Sequence, residues 1–173
     1  MKNINLKIEN LRTISSSEDR KQGRVIQAGI IKTKNILNKL NTIQNVRDYK
    51  CFKVIKGVKT YTAHKGVHLA IYKTLQEDPE LFHILNNGIS ILTESCTLSN
   101  DKKYLTLDPK ASIINGAQTM GVIEIYHRDF PDERKTNDPY VRVNIFVIDK
   151  DRSDTNKDLW DDITIASNTQ NNV

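Results

Sequence analysis

Tyr140-Val141-Arg142-Val143-Asn144-Ile145-Phe146-Val147-Ile148 reads as a strand more clearly than any other stretch of the chain. Val141, Val143, Ile145 and Val147 fall on one face, Phe146 and Ile148 on the other. Successive strand residues point to opposite faces, so apolar residues on both predict a strand covered on both sides, at the centre of a sheet. Upstream, Ser112-Ile113-Ile114 is a short buried strand that stops at Asn115-Gly116. From Gln118 to about His127 the period becomes helical, with Thr119, Val122, Ile123 and Tyr126 as one stripe. Ile89–Leu92 supplies a third strand. The class is therefore α/β or α+β: a single domain with a mixed central β-sheet flanked by helices, its central strands including Ile89–Leu92, Ser112–Ile114 and Val141–Ile148.

Working outward, Ile4–Ile8 alternates like an edge strand and Ser15–Asp19 reads as loop. Residues 1–22 are thus an N-terminal edge segment, and 23–173 the main domain. Arg24–Ile31 is a β-branched strand, after which Thr33 is placed to cap a helix over Lys34–Leu40. Thr62 caps a helix carrying Val67, Ala70, Ile71 and Leu75. Asp78-Pro79 starts another, which should turn Leu81, Phe82 and Leu85 inward and stop at Asn86-Asn87-Gly88. The strand from Ile89 is expected to continue toward Leu98, turn at Asn100-Asp101 and return over Tyr104–Leu107. Asp149–Lys157 is expected as loop, and Leu159–Gln170 as a helix with Leu159, Ile163 and Ala166 inward.

The composition bounds the function. The chain has 173 residues, 38% hydrophobic and 27% charged, with 7 Gly and 4 Pro. That excludes collagen, coiled coil and low-complexity disorder, and no apolar run has the length of a membrane span. The N-terminus lacks the apolar core of a signal peptide, so a cytoplasmic globular domain without a membrane partner is expected. Cys51 and Cys96 are far apart and form no metal-binding pattern; reduced, buried thiols are expected. The net charge of +5 hides an asymmetry: residues 1–75 carry 16 Lys/Arg and 4 Asp/Glu, the remainder 10 and 17. Such an imbalance points to a polyanion partner, to two halves docking on each other, or simply to a solvated lysine-rich surface.

The chemistry centres on Asn115-Gly116-Ala117-Gln118-Thr119. A strand ends, glycine turns the chain, and a helix begins whose first N–H groups and positive dipole end favour phosphate or carboxylate. The alternative is a plain Asn-Gly turn. Two more amide-rich clusters are Asn86-Asn87-Gly88, which alone reads as a helix stop, and Asn168-Thr169-Gln170-Asn171-Asn172, which alone reads as a frayed end. Carboxamides donate and accept together but supply no acid–base chemistry. Of the groups that could, Asp108 has no placement, and Glu124 and His127 lie two or more turns from Gly116. Catalytic residues therefore stay unassigned. His64 and His68 have helical metal-ligand spacing without a third ligand, and Asp149, Asp151 and Asp154 lack the glycine of a calcium loop. No metal site is expected.

Read in order, Asn45-Val46-Arg47-Asp48, Phe82-x-x-Leu85-Asn86-Asn87-Gly88-Ile89, Ile114–Thr119 and Ile163–Asn171 resemble the AIPR family, the abortive-infection phage-resistance proteins of bacteria. The resemblance covers about residues 23 to 173. It implies that the amide clusters belong to one site, with Arg47 as a candidate phosphate clamp; by itself Arg47 reads equally as a surface ion pair with Asp48 or with a helix-end carboxylate. The core around Asn115 resembles more distantly the Asp-Gly-Gln-x-Arg signature of ParB-like proteins, which handle nucleotides or phosphates and would imply a ParB-like fold. Here Asn115 stands in place of the Asp and Thr119 near the Arg, so the resemblance carries over to binding but not to phosphoryl chemistry. AIPR proteins usually run to several hundred residues, so the resemblance implies an N-terminal portion without an effector part.

The leading functional expectation is a component of anti-phage defence that binds a nucleotide or nucleic-acid phosphate. Its site would comprise Arg47, Asn86, Asn87, Gly88, Asn115, Gly116, Gln118, Thr119, Asn168, Gln170 and Asn171. No cofactor is fixed beyond a candidate nucleotide, with Mg2+ needed only for phosphoryl chemistry. The alternative is a nucleic-acid-binding module using the basic N-terminal half, with the Asn/Gln motifs structural. A third reading is a regulatory or toxin-like chain that docks a protein partner or a second copy.

Overall fold

A computed structural model describes residues 1–41, 52–61, 66–131 and 138–169. The N-terminal elements are β1 (Ile4–Lys7), β2 (Glu9–Thr13), α1 (Ser17–Lys21), β3 (Arg24–Lys32), α2 (Thr33–Ile36), β4 (Phe52–Ile55) and β5 (Val58–Tyr61). Then come α3 (Gly66–Glu77), α4 (Phe82–Leu85), β6 (Ile89–Thr93), β7 (Cys96–Leu98), β8 (Tyr104–Leu107) and β9 (Ser112–Asn115). The last are α5 (Ala117–Asp129), β10 (Tyr140–Ile148) and α6 (Asp154–Thr169).

A five-stranded mixed sheet runs in the order β2-β3-β10-β6-β9. β10 is its centre, antiparallel to β3 from Tyr140↔Lys32 to Ile148↔Arg24 and parallel to β6 from Val143↔Ile89 to Val147↔Thr93. Its alternation is used as expected. Val141, Val143 and Ile145 join Ile89, Ile91 and Ile113 in the larger core, against Phe82, Met120, Val122, Ile123 and Tyr126. Phe146 and Ile148 join Leu92 and Ile114 under Trp160, Leu159 and Ile163 of α6. A second antiparallel sheet, β1-β8-β7, sends Leu6, Leu105 and Leu107 into the larger core, and β4-β5 is a separate hairpin. The fold is a mixed α+β domain with helices on both faces of the main sheet.

Several elements differ from the sequence expectation, each for a local reason. Among the described residues β9 lies at the edge of the main sheet rather than inside it, with a single bridge beyond it, from Asn41 to Ser112. The strand from Ile89 does not continue to Leu98, because the Asp108 carboxylate takes the N–H groups of Glu94 and Ser95 and the chain leaves for the other sheet. Ser15–Asp19 is not loop: Ser16 and Asp19 form a reciprocal capping box that starts α1. α2 ends at Ile36 instead of Leu40, since Leu37 is extended and Asn38 is left-handed at φ +55°. Thr33 does not cap it; Lys32 holds that position.

After Asp78 the chain makes a 3-10 turn over Pro79–Leu81 before α4. A 3-10 turn has three residues per turn, so it shifts the phase of an α-helical stripe. Phe82 is fully buried, but Leu81 and Leu85 face outward. α6 starts at Asp154, within the stretch read as loop, and Ala166 on it is exposed. The Asp149–Asp154 stretch is a 3-10 turn leading into α6, held by Asn156, whose Nδ2 donates to the Gln22 and Asp149 carbonyls at 2.9 and 2.8 Å.

Candidate functional site

Gly116 joins β9 to α5 and caps the helix in the left-handed region, φ +93° and ψ 17°, with no side-chain cap. A Cβ at Gly116 would lie 2.6 Å from the Gly88 carbonyl oxygen and 3.0 Å from Ile89 Cα. Gly88 is left-handed too, at φ +84°, and a Cβ there would lie 2.5 Å from the Arg142 carbonyl oxygen. Three neighbouring strand ends thus stack backbone on backbone. The space beside Gly116 is filled by the chain's own Gly88 carbonyl rather than left open.

Asn86 ties this stack to the helix. Its Oδ1 accepts from the Gly88 N–H at 2.8 Å, while its Nδ2 donates to Thr119 Oγ1 at 3.2 Å. Its carbonyl accepts from the Arg142 guanidinium at 2.8 Å. Met120 makes the first intrahelical bond of α5, to the Gly116 carbonyl, so the amides of Ala117, Gln118 and Thr119 stand ahead of it. Asn115 is half-buried and pairs in register with Ser90; Gln118 is half-buried and Asn87 exposed. The structure therefore gathers Asn86, Gly88, Asn115, Gly116, Gln118 and Thr119 at one end of the sheet, with Asn87 beside them. Because β9 runs antiparallel to β6, this is the carboxyl end of β9 but the amino end of the parallel pair β6 and β10. The preference of ligands for the carboxyl ends of parallel strands does not bear on it; the helix start does.

Arg47, Gln170 and Asn171 lie outside the described residues, as does His64. The backbone of Asn168 is in the last turn of α6. That helix leaves Asp149 at the carboxyl end of β10 and crosses toward β9 through Trp160, so it runs toward the strand that leads into Gly116. Among the described residues no group of three or more His, Cys, Asp or Glu could hold a metal ion. No helix there is long and apolar enough to cross a membrane. Cys96 is a half-buried thiol 3.1 Å from Gln27 Oε1, its pKa pushed up to about 11 by burial; Cys51 lies outside the described residues.

Asp108, Glu94 and His127, which have acid–base capacity, are committed elsewhere. At the far end of β6, burial pulls the Asp108 pKa up, but donors from Thr93 Oγ1 and the Glu94, Lys110 and Ser95 amides outweigh it and hold the carboxyl below its ordinary value. An open cavity of about 320 Å³ lies there, lined by Met1, Glu94, Asp108, Pro109 and Lys110. Glu94 within it is paired with Lys150 at 2.8 Å. His127 is buried, with Nε2 2.7 Å from the hydroxyl of the buried Thr33, whose Oγ1 also lies 3.4 Å from Asp138. That cluster fastens α5 to α2 and to the approach to β10, away from Gly116.

A family model described as AIPR protein matches residues 43–173. The chain belongs to the AIPR family. The match takes in all four quoted motifs, and membership in AIPR suggests a part in abortive infection and phage defence. No curated protein and no solved structure matches the chain. Three residues at this end escaped the sequence reading: Arg142, Ser90 and Asn144. The available signal was in β10 itself, whose second face changes from polar at Arg142 and Asn144 to apolar at Phe146 and Ile148.

Proposed function

We propose that this AIPR protein serves anti-phage defence by binding a nucleotide or nucleic-acid phosphate at the start of α5. The observation that supports it is the Asn86 brace. One carboxamide locks the Gly88 turn to Thr119, fixing the first turn of a 13-residue helix whose end carries no side-chain cap. Helix-start N–H groups held in place this way favour an anion, and the preorganised loop spares the cost of ordering it on binding. Arg142, held by the Asn86 carbonyl, adds a guanidinium beside the turn. Arg47 and the Asn168–Asn171 amides complete the site in this reading. It is a binding function; Mg2+ enters only where phosphoryl chemistry does.

The salt-dependent nucleic-acid alternative gains little from the fold. The basic and acidic halves interleave rather than forming separate lobes: β3 of the first pairs along its whole length with β10 of the second, and Lys34 meets Asp138 at 3.5 Å.

The test is a thermal-shift panel of ATP, GTP, CTP, UTP and inorganic tripolyphosphate on wild type and Gln118→Glu. A carboxylate in the first turn suits the helix dipole, so the variant should fold at least as well as wild type. At a phosphate ligand concentration of about 100 times Kd, wild type should gain about 2.7 kcal/mol, and the variant should lose that gain by repulsion. Absence of any shift in wild type at millimolar ligand overturns the reading.

A further inference from the structure

Only one end of the sheet face under α6 is covered. Phe146, Ile148, Leu92 and Ile114 lie beneath Trp160, Leu159 and Ile163. The unbroken ladder between β3 and β10 carries that face onward: Ile26 pairs with Phe146, Ala28 with Asn144, Ile30 with Arg142 and Lys32 with Tyr140. Residues paired across a ladder share a face. Ile26, Ala28 and Ile30 are half-buried and belong to neither core, and Arg142 is exposed. The open face of an antiparallel pair ordinarily carries polar residues. Here β3 presents an apolar stripe to solvent instead, and contiguous apolar surface rimmed by polar groups marks an interaction site.

Tyr140 shows what kind. Its hydroxyl donates to the Glu9 carboxylate at 3.1 and 3.2 Å, and Glu9 belongs to β2, two strands away across β3. Neighbouring strands are about 4.8 Å apart, so the side chain lies along the sheet, over β3, rather than standing off it. The ring is half-buried and held at its far end, which leaves its outer side as a flat π surface fixed in advance. Lys32 Nζ is 5.9 Å from the ring centre, and Arg142 follows two residues along β10. The carboxylates nearby are engaged: Glu9 by the Tyr140 hydroxyl, and the buried Asp138 side chain by Lys34 at 3.5 Å. Among the described residues no ion pair uses Lys32 or Arg142. A flat ring on an apolar strand surface between two cations suits a base with a phosphate on either side, since the ring stacks any base and the cations take the backbone. An acidic peptide would use the cations and leave the ring idle.

We propose that this open face of β3 and β10 is a docking surface for single-stranded nucleic acid, with one base stacked on Tyr140 and the flanking phosphates on Lys32 and Arg142. The proposal deepens the reading of the α5 start and rests on it at Arg142, which borders both surfaces. It draws its cations from both halves of the chain rather than from the basic half alone.

The experiment is fluorescence anisotropy of labelled oligo-dT and oligo-U, each about 12 nucleotides and so within the span of such platforms, titrated with the full chain over a salt series. Wild type should bind, with affinity falling as salt rises. Tyr140→Leu should weaken binding by about fivefold or more, the lower end for one stacked base, whereas Tyr140→Phe keeps the ring and should stay within about twofold of wild type. Lys32→Gln should flatten the log–log salt slope by about 0.7, the share of one phosphate on a single strand. Where Tyr140→Leu proves unfolded by thermal melting, the Lys32→Gln slope decides. If oligonucleotides do not bind while tripolyphosphate still shifts the melting of wild type, the docking surface is wrong and the phosphate site stands. If Tyr140→Leu weakens oligonucleotide binding and Gln118→Glu changes neither that binding nor the tripolyphosphate shift, the surface stands and the phosphate reading fails. If a folded Tyr140→Leu binds as wild type does, or polyglutamate of equal charge displaces the oligonucleotide, the surface takes polyanions without stacking and the proposal is overturned.

Discussion

Alanine at Gly116 would have to hold φ near +93° with its Cβ against the Gly88 carbonyl. A non-glycine residue in the left-handed region costs about 1–3 kcal/mol, and the contact is with backbone, which cannot swing aside. Gly116→Ala should therefore lower unfolding free energy by at least that amount in urea titrations, and Gly88→Ala by a similar amount. Asp108 adds a pH dependence of definite sign. Its carboxyl titrates below the ordinary 3.8 in the folded protein, so its stabilisation is fully present above that value and is lost as pH falls through the lower folded pKa. Unfolding measured from neutral to acid pH should show the gap between wild type and Asp108→Asn closing in that window. Legibility at this scale was uneven. Asn86, Gly88 and Gly116 announced themselves as amides and glycines at a change of period. Ser90, Asn144 and Arg142 did not, because a polar residue on a strand reads as solvent-facing until the register shows which polar residues stand together.

The elements that the sequence made plain are those whose own pattern suffices, such as β10 and α5. Those it hid depend on partners or on a change of helical pitch. β2 has no apolar alternation, with Glu9, Asn10, Arg12 and Thr13 all exposed, and exists because β3 offers it a ladder. α4 kept Phe82 inward and lost Leu81 and Leu85 to the 3-10 turn before it. α6 is docked at its start by Asn156, which is fully buried and bonds two carbonyls. With about 1 kcal/mol net per hydrogen bond, and more where carbonyls are left unpaired, Asn156→Ala should cost about 2 kcal/mol or more. Hydrogen exchange should then show faster exchange of α6 amides than of β10 amides.

For the whole molecule, the family match begins at residue 43, yet the central strand β10 is paired along its length with β3, which precedes that boundary. β1 likewise completes the second sheet by pairing with β8. A fragment beginning at residue 43 would expose β10 as a long apolar edge, the kind of surface that templates aggregation. It should fail to give dispersed amide resonances where the full chain does; a folded fragment would show β3 to be dispensable. The topology was legible only as a class, since no local pattern says that residues 24–32 lie beside 140–148. One contact at the far end of the sheet has a practical side. Trp160 is the chain's only tryptophan, nearly buried, with the Lys150 ammonium 5.2 Å from its ring centre. Its ultraviolet emission is therefore a built-in optical gauge of whether α6 is seated, readable without any label.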